Sequence, residues 1–200
     1  MHGQRPIEEA DELELMHTTD RRLNIGCGDW PLNYYTNLDI DPSSPAEIHA
    51  DALEYLEACQ DGEYDEIYAG HFVEHLDQLQ ALQFVATCYR VLSPGGKLGL
   101  LVPDTRAIMH KYLTQQIDEV EYDGRWYHVA DLDDVCALFI YSTVQDTPHK
   151  WMYDVNTLAR LMQSVGFESL REIDRYRDPR LGTPAWYQCG LDGWKPEEEA

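Results

Sequence analysis

Two rhythms of apolar and polar residues run along this chain. Short runs with β character stand at "RRLNIG" (21–26), "YTNLDI" (35–40), "YDEIYAG" (64–70) and "KLGLLVP" (97–103), with a briefer one in "AEIHAD" (46–51). Segments with helical spacing separate them. "DALEYLEACQ" (51–60) predicts a short helix capped by Asp51. "DQLQALQFVATCYRVL" (77–92) predicts a longer one with an apolar stripe of Leu79, Leu82, Val85, Ala86, Tyr89 and Leu92, ended by "SPGG" (93–96). Past Pro103 the pattern loosens, with helices expected over 105–117 and 131–142. A clearer helix, "NTLARLMQSVGF" (156–167), takes Asn156 as its cap and Gly166 as its stop. "FESLREIDRY" (167–176) and "AWYQCGLDGW" (185–194) read as a closing pair of strands. Strands alternating with helices predict an α/β fold, a mainly parallel sheet covered by helices.

No repeat or Pro/Gly-rich linker divides the 200 residues, which suits one domain with a sizeable core. That domain is expected over 21–195, with a mobile acidic arm over 1–20 and an acidic tail over 196–200. The arm is polar and does not read as a secretory signal, and no apolar run has the length of a membrane span. Five scattered cysteines (Cys27, Cys59, Cys88, Cys136, Cys189) form no CxxC pair, which points to reduced thiols and a cytoplasmic protein. The formal net charge is −22, from 37 acids against 15 Lys and Arg. A nucleic-acid partner needs a basic footprint that this composition does not offer.

The first strand runs into Gly26-Cys27-Gly28, where glycine lets the backbone turn sharply and approach a ligand. Asp39 ends the second strand, placed to accept two hydrogen bonds from a ribose diol. Asp51 follows the third short run, within reach of an adenine amino group. These three in order point to an adenosine-type ligand. A nicotinamide dinucleotide site is the rival, but it wants G-x-G-x-x-G opening a helix and an acid about twenty residues on. Position 31 is Pro, and Asp39 comes only eleven residues after Gly28. Those eleven residues are also too few for an ordinary crossover helix. "DWPLNYYTN" (29–37) is therefore expected to cross nearly extended, with Trp30, Tyr34 and Tyr35 covering the sheet face.

With these residues in view, "LNIGCG", "NLDIDP", "HADALEY", "YDEIYAGHFVEHL", "RVLSPGGKLGLLVPD" and "LARLMQSVGF" resemble the successive motifs of class I S-adenosylmethionine-dependent methyltransferases, across about residues 21–195. The resemblance implies a Rossmann-like seven-stranded sheet with helices on both faces, an antiparallel last strand and a shortened or absent first crossover helix. It places Gly26, Cys27 and Gly28 under the methionine part of the cofactor and Asp39 with Ile40 at the ribose. Asp51 and Ala52 fall at the adenine, and Gly70 with His71 at the methyl end. Many members carry an acid where this chain has Asn24, and an amide there can still hydrogen-bond.

"HFVEH" (71–75) spells the H-x-x-E-H pattern of inverzincin proteases, but His71 directly follows a strand, so the required helix face is missing. Some methyltransferases carry E-x-x-E-H at this place and bind a divalent ion there. Metal-free relatives carry "LEHL", and the reading assigns no metal ligand here, leaving a divalent ion as the alternative. The catalytic set is His71, Glu74, His75 and His149, the last from "TPHKWMYD" (147–154), with His110 and His128 as further histidines. Residues 104–150, "YDGRWYH" (122–128) among them, are expected to form an acceptor-side lid. The expected function is S-adenosylmethionine-dependent O-methylation of a sugar or other small hydroxylated acceptor. The alternatives are an inactive methyltransferase-like scaffold and an enzyme acting on protein or nucleic acid.

Overall fold

A computed structural model describes residues 21–114, 119–122, 125–128, 149–173 and 188–197. The expected arm (1–20) and the expected helix over 131–142 lie outside them. In chain order the strands are β1 (Arg22–Ile25), β2 (Thr36–Asp39), β3 (Ile48–His49), β4 (Tyr64–Gly70), β5 (Leu92–Pro103), β6 (Glu119–Tyr122), β7 (Arg125–His128), β8 (Glu168–Glu172) and β9 (Gln188–Trp194). The helices are α1 (Ala52–Ala58), α2 (Gln78–Val91), α3 (Thr105–Leu113) and α4 (Val155–Val165).

Seven strands form one sheet in the order β3-β2-β1-β4-β5-β9-β8, and β6 pairs with β7 as a separate antiparallel ribbon. Pairing is parallel from β3 to β5, while β9 runs antiparallel to both β5 and β8. The expected reversed last strand is thus present. Leu23, Ile25, Ile67, Ala69, Leu98, Leu100 and Val102 alternate onto the buried side, where α1, α2 and α4 pack side by side.

Two local expectations need correction. The buried stripe of α2 is Ala81, Phe84, Val85, Cys88 and Val91, while Leu79 and Leu82 are exposed. Phe84 is the largest apolar side chain on this helix to be fully buried, and it turns the neighbouring leucines outward. The cap of α4 is Asp154, not Asn156: its carboxylate accepts from the Thr157 amide at 2.7 Å, and Asn156 already lies inside the helix. Asp51 does cap α1, and Gly166 stops α4 at φ 115°. α2 stops at Leu92 as expected, but that residue already pairs with Tyr64, and the register then shifts across 93–96.

Residues 29–35 contain turns and no helix. Asn37, buried beneath them, organises the crossover: its oxygen accepts from Asn24 (2.8 Å) and from the Leu32 amide (2.7 Å). Its amide donates to the carbonyls of Leu32 and Tyr35. The departure at Asn24 therefore has a structural use, since an aspartate there could not donate to Asn37. Of the three aromatics expected on the sheet, Trp30 and Tyr34 are exposed and only Tyr35 reaches it. The Tyr35 hydroxyl donates to Glu66 at 2.6 Å, and Lys97 pairs with the same carboxylate at 2.7 Å. Burial alone would raise the Glu66 carboxyl, but Lys97, Tyr35 and Arg22 together hold it below its ordinary range. A concavity of about 400 Å³ lies here, bordered by Arg22, Glu66, Tyr68, Lys97 and Asp192.

Candidate active site

The carboxyl ends of the parallel strands carry the residues expected at the site. Gly26 turns at φ 67°, and its amide and that of Cys27 donate to the Leu38 carbonyl at 2.8 and 3.2 Å. A Cβ on Gly26 would sit 2.8 Å from the Phe72 ring, so the glycine loop and the segment after β4 touch at a point that only glycine allows. Gly28, at φ 52°, instead faces open space.

Asp39 ties this loop to the second strand. One oxygen accepts from the Gly28 amide at 2.7 Å, the other from Asp41 at 2.9 Å. Each carboxylate oxygen keeps a second lone pair, so two ribose hydroxyls fit without displacing either bond. Ile40, 69% exposed, offers apolar surface beside it. Asp51 spends one oxygen on the amides of Leu53 and Glu54. The other makes no bond among the described residues, and Ala52 is buried behind it. Burial first, then the charges of Asp39 and Glu47, push the Cys27 thiol up to about 11, so it lines the loop as a neutral group. Open space over Gly28, acceptors on Asp39 and an apolar neighbour fit an adenosine-type ligand.

On the other side of Phe72, β4 ends at buried Gly70 and passes into His71 at φ 55°, a conformation costly for a side chain of this size. A 3-10 turn over Val73–His75 then places Glu74 and His75. His71 bridges two partners: Nδ1 lies 3.1 Å from Glu74, and Nε2 lies 2.6 Å from the Gln188 side-chain amide on β9. With the amide reversed, its oxygen would accept from a protonated ring, and both nitrogens would still be engaged.

Glu74 is 1% exposed. Burial favours its neutral form, but the hydrogen bond and charge of His71, with smaller help from His75, hold the carboxyl below its usual range. Its Oε2, like Nδ1 of His75, is buried without a hydrogen-bond partner. His149 arrives from far along the chain because the amides of Lys150 and Trp151 donate to the Glu74 carbonyl at 2.8 and 3.2 Å. Its ring meets His75 edge-on at 4.8 Å between centroids. Burial outweighs the opposing Glu74 charge and lowers the His149 pKa, which keeps the imidazole neutral near pH 7. Burial and Glu74 push the Tyr153 phenol up to about 12, so it stays protonated.

The four expected catalytic residues therefore converge, while His110 is exposed on α3 and the side chain of His128 lies outside the description. Sequence reasoning missed Gln188 and Asn37. A glutamine inside the apolar run of the last strand was the available signal for the first; nothing in the sequence marked the second.

Residues 23–100 match the family described as "Methyltransferase domain". A search of curated proteins finds no match. Among solved structures, a SAM-dependent methyltransferase from Archaeoglobus fulgidus is 17% identical with a TM-score of 0.56, covering 96% of this chain and 95% of that one. A possible histamine N-methyltransferase from Thermotoga maritima gives 13% identity and a TM-score of 0.55, over 92% and 88% of the two chains. Phosphoethanolamine N-methyltransferase 2 of Haemonchus contortus, solved with S-adenosyl-L-methionine, gives 12% and 0.55, over 94% of this chain and 53% of that one. Residues 23–100 thus carry a methyltransferase-domain match within a fold shared with solved SAM-dependent methyltransferases. The adenosine-type site is where the residues above would hold a cofactor such as the S-adenosyl-L-methionine of the Haemonchus contortus structure.

Proposed function

We propose that this methyltransferase acts on an oxygen of a small hydroxylated acceptor, such as a sugar, bound at His71, Glu74, His75 and His149. One observation carries the reading. Two unpartnered buried acceptor atoms and a neutral imidazole gather beside the loop that abuts the glycine turn. Such a cluster suits a hydroxyl that must lose a proton.

Asp39 orients the ribose and Gly26–Gly28 leave room for the cofactor's tail; Asp51 and Ala52 border the adenine, and Gly70 with His71 the methyl end. When bound, S-adenosylmethionine supplies an electrophilic methyl group on a sulfonium. The chain then holds the acceptor oxygen in line with it, and much of the rate comes from that positioning. The proton leaves through the cluster, with His149 as its first acceptor. His71, occupied on both nitrogens, orients Glu74 and takes no proton itself. The net charge of −22 disfavours a nucleic-acid acceptor. The four described cysteines are free, which supports a cytoplasmic setting; among the described residues no helix is long and apolar enough to cross a membrane.

The decisive experiment is an acceptor screen that follows S-adenosylhomocysteine release, beside calorimetry with that product. Product binding without turnover on any hydroxylated acceptor would favour the inactive scaffold. Turnover on an amine, a protein or a nucleic acid would overturn the acceptor class.

A further inference from the structure

We propose that Glu74, His75 and His149 form a binding site for a divalent transition-metal ion, with His71 and Gln188 holding the carboxylate in place. One ligand atom from each of the three lies within 4.8 Å of the others. Donors around a four-coordinate zinc stand about 3.4 Å apart, given bonds of about 2.0–2.1 Å, so side-chain rotation of about an ångström closes the set.

The burial pattern argues for an occupant. Leaving a buried carboxylate oxygen and a buried ring nitrogen unpaired costs about 1–3 kcal/mol per group, and more for the charged one. Glu74 Oε2 and His75 Nδ1 are both in that condition. One ion between the two residues would engage both atoms at once.

The second layer is built as metal sites require. Glu74 Oε1 is taken by His71, which Gln188 fixes from β9. His71 is consequently a support for the carboxylate and not a ligand. The third ligand is fixed through its backbone, since Lys150 and Trp151 hang from the Glu74 carbonyl itself. Two imidazoles and one carboxylate favour zinc, iron(II), cobalt or nickel over magnesium, which prefers oxygen. Three protein ligands also leave a coordination position open, as in catalytic sites.

The catalytic meaning rests on the methyltransferase reading above; the binding does not. An acceptor hydroxyl in the open position would be acidified by the ion, so His75 and His149 would act as ligands where a metal-free site would use them as bases.

The full chain, stripped with EDTA, is titrated with cobalt(II) followed by visible absorption, and with zinc by calorimetry. The expected result is one equivalent bound, with a four- or five-coordinate cobalt spectrum and no thiolate charge-transfer band. His75→Ala and His149→Ala should each abolish that binding. His71→Ala should weaken it by about 10–100-fold, the effect of losing an outer partner. No binding to the folded wild type, a thiolate band, or binding unchanged in His149→Ala would overturn the site. Circular dichroism on each variant excludes misfolding, and His149, only partly buried, is the safest of the three to remove. Calorimetry with S-adenosylhomocysteine on the same samples tests the methyltransferase reading separately. Product binding without cobalt binding refutes the ion alone, and the reverse refutes the cofactor reading alone.

Discussion

Replacing Asp39 with Ala removes a carboxylate with two duties. In the free protein it accepts from the Gly28 and Asp41 amides at 2.7 and 2.9 Å. In the complex its remaining lone pairs would take two ribose hydroxyls. A hydrogen bond to a charged group contributes about 1.5–3 kcal/mol, so two lost ribose bonds sum to at least about 3 kcal/mol, near 100-fold in affinity. Water entering the vacated space recovers part of this, which sets the expected loss of S-adenosylhomocysteine affinity at about tenfold or more. The lost backbone bonds are partly exposed, at the edge of the loop, and lower stability by about 1–2 kcal/mol, or roughly 2–8 °C for a chain of this size. Calorimetry with the product, beside thermal unfolding of the unliganded protein, separates the two effects. An unchanged dissociation constant in a folded variant would refute the ribose assignment. Weakened binding with an unfolded loop in hydrogen exchange would show that Asp39 acts only by shaping the turn. Asp39→Asn sharpens the test, since its single oxygen replaces only one of the two carboxylate oxygens that accept from Gly28 and Asp41.

Asn37→Ala strips the crossover of its buried partner, leaving the Asn24 amide and the Leu32 amide unpaired; about 2–4 kcal/mol and a drop of roughly 5–15 °C in Tm are expected, and an unchanged Tm would show that the loop does not depend on it. His149→Ala should lower turnover by about 10²–10⁴-fold while product affinity stays within a factor of two or so; normal turnover would put the acceptor elsewhere. Glu66 has its carboxyl lowered in the folded protein, so it contributes stability above the ordinary glutamate pKa of about 4.3, lost as pH falls through the folded value. Denaturation measured across the acid range should therefore fall more steeply for the wild type than for Glu66→Gln, and parallel curves would count against the charge network.

Strand β4 was legible to the residue because its apolar run is flanked by turn formers, and Asp51 was legible as a cap because the side chain and the helix are adjacent in sequence. The same locality explains the sites found: the glycine turn, Asp39 and the His71–His75 segment each lie within a few residues of a strand end. What sequence could not show depends on contacts across the fold. The stripe of α2 was misread because spacing alone does not say which of two overlapping faces holds the deepest pocket, and Phe84 decides that. Trp30 and Tyr34 were expected over the sheet in place of a crossover helix, yet a hydrogen-bonding asparagine organises the crossover instead. Likewise Gln188 reaches His71 from a strand 117 residues away. The positive φ of His71 is set by that packing and has no sequence mark.

The pairing around Tyr153 also bears on how much change in length the chain tolerates there. Thr105 donates to the Tyr153 carbonyl at 2.9 Å, Asp104 bridges to the same residue, and Lys150 and Trp151 hang from Glu74. The chain therefore departs from the sheet and comes back to it at one spot, sealed by backbone bonds that do not depend on the residues between. Closing a longer or shorter excursion there changes the entropy only slowly with length. Insertions or deletions between Thr105 and Lys150 are thus expected to leave this seam, and the parallel half of the sheet beyond it, in place.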